Sequence, residues 1–252
     1  MKPQALVPVS PTATVEHCAF AVQSIRKLSA AGKKDFGDQW PWFELLMRPR
    51  KLHWDRAGGT IESFIDRLYT ERPTYLSDGE VLERAIHWLM RRNVPTRVSV
   101  NTHPMSLTSI RFCDLAIQGQ LQVQTCGHSI CLELVEFGDY PDRQTLVDNA
   151  RSLRSMGLVI ALDDFGSRVN VFDLCAAGIV DVLKIDLSIV RELHRDLYQR
   201  AVVDSISRLG CGIGAQVVAE GVETEAELTS LEALGIDFAQ GFHFHRPEPS
   251  EI

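Results

Sequence analysis

Two adjacent acids, Asp163 and Asp164, close an apolar run at residues 158–164 (LVIALDD), and a glycine follows at position 166. Other apolar, β-branched runs end in the same way. Asn101 ends 97–101, Glu133 and Glu136 come late in 130–136, and Lys184 and Asp186 end 180–186. Glu220 ends 214–220, and Glu44 sits inside 42–47. Carboxylates gathered in one place repel one another and are driven toward protonation unless cations neutralise them. An oxygen-rich set with one amide is the ligand type that Mg²⁺ or Mn²⁺ prefers. Where a strand ends the backbone can turn, so Asp163 can bridge two ions while Asp164 reaches one. Two ions about 4 Å apart clamp the attacking and leaving oxygens of an in-line phosphoryl displacement. The chemistry these residue types predict is metal-assisted phosphoester hydrolysis.

A bland reading exists for each residue alone. A single acid after a strand serves as a helix N-cap or a solvated loop residue. Lys184 and Asp186, two apart, read as an ion pair inside a barrel. What carries the functional reading is the number of polar strand ends that one face must collect.

The elements that collect them can be read from periodicity. Eight runs read as strands: 18–23, 42–47, 97–101, 130–136, 158–164, 180–186, 214–220 and 238–244. Amphipathic segments separate most of them. In 81–90, Val81, Leu82, Ala85, Ile86, Leu89 and Met90 form one stripe. In 189–209 the stripe is Ile189, Leu193, Leu197, Ala201, Ile206 and Leu209, with Gly210 as the expected C-cap. A third helix is expected from a capping box, Thr224 with Glu227, to a stop at Gly235. Strands alternating with helices imply a parallel sheet, and eight of them a closed barrel whose active site lies at the strand C-termini. The first two runs lack an intervening helix. The polar stretch 24–39 reads as a long turn, so the first strand is expected to run antiparallel. The prediction is a modified (β/α)8 barrel over residues 18–252, preceded by an N-terminal extension at 1–17.

Composition narrows the function classes. The 252 residues are 45% hydrophobic and 23% charged, with a net charge of −7 and scattered Lys and Arg. That argues against binding duplex nucleic acid, which needs a basic face. The six cysteines form no CxxC pair and read as reduced packing residues of a cytoplasmic protein. The start is a poor signal peptide, and no apolar run approaches the roughly 18 residues of a membrane span. GCGIGA (210–215) fits a dinucleotide fingerprint in letters alone, because a helix precedes it and a strand follows. His243 and His245 read as ordinary strand residues, and the DFG triplet lacks the other kinase motifs.

In order along the chain, these residues resemble the EAL domain, the cyclic di-GMP phosphodiesterase domain of bacterial signalling. The ExLxR motif stands at Glu44-Leu45-Leu46-Met47-Arg48, with Leu45 in the usual alanine position, and SVN ends at Asn101. LELVE carries Glu133 and Glu136, DDFG spans Asp163 to Gly166, KID spans Lys184 to Asp186, AEGVE spans Ala219 to Glu223, and QGF spans Gln240 to Phe242. The resemblance covers residues 18–250. It implies two Mg²⁺ or Mn²⁺ ions, one held by Glu44, Asn101, Glu133 and Asp163, the other by Asp163, Asp164 and Glu220. Glu220 also becomes the general base, and Lys184 holds or activates the attacking water. Glu223 and Gln240 support site and substrate, Arg48 contacts a phosphate, and Gln23 matches a glutamine of the family's first strand. Glu136 anchors the loop after the fifth strand, with Asp186 in a supporting role.

The implied reaction opens cyclic di-GMP to linear pGpG. Two departures stand out. The loop after Gly166 reads Ser167-Arg168-Val169-Asn170-Val171-Phe172 where the family has TGYSSL, and Thr102 replaces the serine after the family's asparagine. That loop serves metal positioning and homodimerisation in the family. Its divergence supports an alternative, a cyclic di-GMP receptor or a module that docks a protein partner without turnover. No receiver, PAS or GGDEF segment is read in the sequence, so no sensor of its own is expected.

Overall fold

The computed structural model describes residues 13–28, 41–50, 59–135, 142–166 and 172–251. Nine strands occur among them: β1 (Cys18–Lys27), β2 (Trp42–Pro49), β3 (Arg97–Thr102), β4 (Ser129–Leu134), β5 (Val159–Phe165), β6 (Val182–Ile185), β7 (Gln216–Ala219), β8 (Phe238–Ala239) and β9 (Glu248–Ser250). The helices are α1 (Ile61–Glu71), α2 (Thr74–Met90), α3 (Ile110–Gln124), α4 (Arg143–Ser155), α5 (Phe172–Ala176), α6 (Leu187–Val190), α7 (Leu197–Ile213) and α8 (Glu225–Ala233). From β2 to β8 each strand pairs in parallel with the next. β1 closes the barrel by pairing antiparallel with both β2 and β8, and β9 adds to β1. This is the expected modified (β/α)8 barrel with an antiparallel first strand.

Two cores hold it. The larger lies between barrel and helices, where α2 buries Val81, Leu82, Ala85, Ile86 and Leu89, while Met90 at its end is exposed. The smaller fills the barrel: Ile25, Trp42, Cys131, Ala161, Val182, Val218 and Phe238, from seven of the eight barrel strands. Below it the Arg97 guanidinium stacks on Trp42 at 5.0 Å and donates to Gln216 across the barrel at 3.4 Å. Ala13 and Val15 pack into the outer core ahead of β1.

Several expectations need correction. β1 continues to Lys27, because residues 24–27 find partners on β2 and β8, so the long turn begins later than position 24. The helix expected over 189–209 is broken. α6 ends at Val190, Glu192 adopts φ 57°, and α7 starts at Leu197, which is 79% exposed despite its place in the stripe. α7 then runs through Gly210 to Ile213, and Gly214 at φ 74° caps it. Gly210 is small for a packing reason, since a Cβ there would lie 2.5 Å from Val217 Cγ2. The run 238–244 is a strand only at Phe238–Ala239. His243 and His245 therefore lie beyond the strand and reach Glu225 at 3.3 Å and Glu248 at 3.1 Å.

Candidate active site

Side chains two positions apart on a strand point the same way. Each interior apolar residue of the barrel is followed, two positions nearer the mouth, by a polar one. Glu44 follows Trp42, Glu133 follows Cys131, Asp163 follows Ala161, Lys184 follows Val182, Glu220 follows Val218 and Gln240 follows Phe238. Asn101 follows Ser99, whose hydroxyl accepts from the Trp42 indole at 2.8 Å. β1 runs the other way, so Gln23 precedes Ile25. The apolar layer sets a floor and the polar layer rests on it.

Lys184 lies at the centre, wholly buried. Its ammonium donates to Glu133 Oε2 at 2.7 Å and Asp163 Oδ1 at 2.8 Å, and lies 2.7 Å from Glu220 Oε1 and 3.9 Å from Glu44 Oε2. Burial alone lowers a lysine pKa, but the surrounding acids more than reverse this and hold Lys184 well above its ordinary value. The acids respond to crowding. Burial pushes Glu133 up to about 8, opposed by Lys184 and reinforced by Glu44 and Asp163. Glu220 is raised well above the carboxylate range by burial, which Lys184 only partly offsets.

Asp164 reaches this group by a backbone irregularity. The β5–β6 ladder shifts register between Leu162 and Phe165, and Asp164 has φ 50°. Regular alternation would send its side chain out of the barrel. The left-handed residue instead leaves carboxylate oxygens of Asp163, Asp164 and Glu220 within 4.8 Å of one another. Burial, then Asp163, then a hydrogen bond with Asp186 raise Asp164 to about 7. Asp186 lies past the end of β6 and caps α6 through the Ser188 N–H at 2.7 Å, so the lysine's ion partners are the acids of the neighbouring strands.

Glu44 is fixed from two sides. Asn101 Nδ2 donates to its Oε1 at 2.9 Å, and Gln240 Nε2 donates to its Oε2 at 2.6 Å. Gln240 also donates to Gln23 Oε1 at 3.0 Å, and Gln23 in turn donates to the His245 carbonyl at 2.9 Å. Glu133 Oε1 and Gln240 Oε1 are buried without a hydrogen-bond partner. Such an oxygen is costly unless something binds it. Unpartnered hard oxygens beside a tight carboxylate triad fit a divalent cation of the Mg²⁺, Mn²⁺ or Ca²⁺ kind.

Above this layer opens a cleft of about 290 Å³, lined by Gln23, Glu44, Glu220, Glu223 and Gln240 together with residues the sequence did not single out. Arg191 lines it and pairs with Glu223 at 2.7 Å. Phe242 presents a ring covered by the Arg246 guanidinium at 4.4 Å. Gly221 and Gly241 allow the walls to close, since a Cβ on Gly241 would meet the Val222 carbonyl oxygen at 2.1 Å. The QGF and AEGVE segments carry a sequence signal for the glycines and Phe242; Arg191 has none. Arg48 lies farther along β2, half-buried, donating to the Met47 carbonyl at 3.0 Å. It does not line the cleft. Glu136 and the divergent loop residues 167–171 lie outside the described residues.

The family model of the EAL domain matches residues 52–247, most of the chain. The chain belongs to the EAL domain family. The matched span starts after the Glu44–Arg48 motif, the segment in which Leu45 departs from the family's alanine. Among curated relatives of this EAL domain, the Borreliella burgdorferi cyclic di-GMP phosphodiesterase PdeA is 32% identical over 151 residues, 60% of this chain and 22% of the relative. The Shewanella oneidensis cyclic di-GMP phosphodiesterase PdeB is 30% identical over 175 residues, 68% of this chain and 20% of the relative. The chain thus spans about a fifth of the length of these relatives. Klebsiella pneumoniae BlrP1, solved as a calcium/cyclic-di-GMP complex, superposes with a TM-score of 0.71 at 25% identity, covering 97% of this chain and 59% of that one. The Pseudomonas aeruginosa FimX EAL domain bound to cyclic di-GMP superposes with a TM-score of 0.74 at 17% identity, covering 93% of this chain and 92% of that one, a likeness of fold. No helix among the described residues is long and apolar enough to cross a membrane.

Proposed function

We propose that this EAL domain hydrolyses one phosphodiester of cyclic di-GMP to linear pGpG with two Mg²⁺ or Mn²⁺ ions. The observation that carries the reading is the ring of oxygen donors around Lys184, two members of whose cluster, Glu44 and Glu220, also line a cleft of about 290 Å³. Glu44, Asn101, Glu133 and Asp163 would hold one ion, and Asp163, Asp164 and Glu220 the other. When bound, such ions would supply a water-derived nucleophile at neutral pH and neutralise charge on the phosphoryl oxygens. Glu220, at the edge of cleft and cluster, would be kept ionised by adjacent cations and would take the proton of the attacking water. Lys184 holds Asp163, Glu133 and Glu220 in a common orientation and balances part of their charge. Gln240, whose amide also bonds to Gln23, holds Glu44 Oε2, while Asn101 holds its Oε1. Arg191, which lines the cleft, would provide a cation for the phosphates. All six cysteines are free, and we place the protein in the cytoplasm, where thiols stay reduced.

Purified protein with Mg²⁺ or Mn²⁺ and cyclic di-GMP is expected to release pGpG, followed by chromatography. Glu44→Ala and Asp163→Ala are each expected to abolish release. No product at micromolar enzyme with either metal would overturn the enzymatic reading. Tight nucleotide binding without turnover would make the domain a receptor, and absence of binding would favour a protein-docking role.

A further inference from the structure

One buried carboxylate bonds to two segments that carry cleft residues without itself lining the cleft. Glu227, in the first turn of α8, is 3% exposed. Its Oε1 accepts from the Glu192 N–H at 2.9 Å, and its Oε2 accepts from the N–H groups of Glu223 at 2.9 Å and Thr224 at 3.0 Å. The Thr224 bond is the reciprocal half of the helix cap and follows from the spacing of the two residues. The other two reach outside the helix. Glu223 belongs to the loop leaving β7, and Glu192 to the turn leaving α6, 35 residues away from Glu227. These two segments carry the cleft residues Glu223 and Arg191, which meet at 2.7 Å.

The turn after α6 needs such a hold. Glu192 sits at φ 57°, a conformation that costs a side-chain-bearing residue and persists only where its surroundings impose it. Its ion pair with Arg195 joins side chains 65% and 71% exposed, too solvated to impose a backbone conformation. The Arg191–Glu223 pair is itself about half exposed. Backbone N–H groups donating to one buried carboxylate form the stronger, charge-assisted type of bond. Burial alone would raise the Glu227 pKa, but the bonds from Glu192, Glu223 and Thr224 outweigh it and keep the carboxyl below its ordinary value.

We propose that Glu227 is a positioning residue that fastens the turn after α6 to the loop after β7, setting the distance between Arg191 and Glu223 and hence the width of the cleft. The identity of the occupant rests on the functional reading above; the fastening does not.

The test pairs residue-resolved amide hydrogen exchange with steady-state kinetics on cyclic di-GMP, using Glu227→Ala, Glu227→Gln and Thr224→Ala. Glu227→Ala is expected to speed exchange at the Glu192 and Glu223 amides about tenfold or more, and to raise KM about fivefold with kcat nearly unchanged. Glu227→Gln keeps one acceptor oxygen, so it should release one segment, speed exchange at only one of the two amides, and give an intermediate KM. Thr224→Ala removes the hydroxyl half of the cap but leaves the carboxylate bonds, so both amides and KM should stay as in the wild type. If Glu227→Ala does not fold, Glu227→Gln against Thr224→Ala decides. Unchanged exchange at both amides in the Glu227 variants overturns the proposal, as does a rise in KM for Thr224→Ala equal to theirs. If wild-type protein neither binds nor turns over cyclic di-GMP, the functional reading falls, and exchange at the two amides alone decides the fastening.

Discussion

Two buried acidic sites in this molecule solve the same electrostatic problem in different ways. Asp78, on α2, is 3% exposed and faces neutral donors: its Oδ1 accepts from the Tyr69 hydroxyl at 2.7 Å, and its Oδ2 from the His103 N–H at 2.8 Å and the Ser106 hydroxyl at 2.7 Å. Burial raises it to about 7, against the lowering effect of those three donors. The site ties α1, α2 and the turn after β3 together. In the barrel mouth, by contrast, Glu44, Glu133, Asp163 and Glu220 surround one ammonium, and Glu133 Oε1 is left without a partner. One carboxylate can be satisfied by neutral donors, or protonated at modest cost. Four around one lysine cannot all stay ionised without further cations, because each added charge raises the cost of the others. The surplus at the mouth calls for further cations, and Asp78 calls for none.

That contrast can be broken at either end. Lys184→Met should have the largest effect: loss of detectable turnover, and without metal a destabilisation of about 3–5 kcal/mol as buried acids lose the cation they surround. Urea unfolding with and without Mn²⁺ checks it, since added ion should recover part of the loss; equal stability of variant and wild type in metal-free buffer would remove the distinction.

Next in size is a pH effect at Asp78. Its folded pKa of about 7 exceeds the ordinary 3.8, so between those values the folded state keeps a proton that the unfolded chain has lost. Its contribution therefore weakens as pH rises through that window, by up to about 4 kcal/mol, and levels off above it. Asp78→Asn, which mimics the protonated acid, should flatten the slope of stability between about pH 4 and pH 7. An unchanged slope would show that Asp78 does not titrate there.

Asp78→Ala leaves the Tyr69, His103 and Ser106 donors without their acceptor and should cost about 3 kcal/mol, by the penalty for unsatisfied buried groups. The loss should be the same with or without Mn²⁺, unlike that of Lys184→Met. The smallest effect belongs to the cleft rim. Arg191 and Glu223 are 54% and 45% exposed, so Arg191→Ala should change stability by less than about 1 kcal/mol. A larger loss in thermal unfolding would mean that the rim pair behaves like the buried nest.

Local periodicity explains how much could be read in advance. Apolar runs with a polar residue two positions past an inward-facing one place Glu44, Glu133, Asp163, Lys184 and Glu220 on one layer, whatever the neighbouring strand is. The capping box at Thr224 and Glu227 is likewise local, and both halves of it are present. The break between α6 and α7 was hidden because Leu193 and Leu197 keep helical spacing across it, although Leu193 is buried and Leu197 faces solvent. Gly210 imitates a helix end, yet its smallness serves the approach of Val217 from another element. Arg191 carries no motif; it becomes a cleft residue through the turn that Glu192 makes.

By itself the sequence determined which residue types stand at the strand ends and that the strands alternate with helices, because both follow from spacing along one chain. Only the tertiary structure decided that Asp164 turns into the cluster instead of away from it, that Lys184 stands among four acids, and that Glu227 bonds to two segments bordering one cleft. Each of these depends on groups far apart in sequence meeting in space, and on a backbone conformation that only those meetings stabilise.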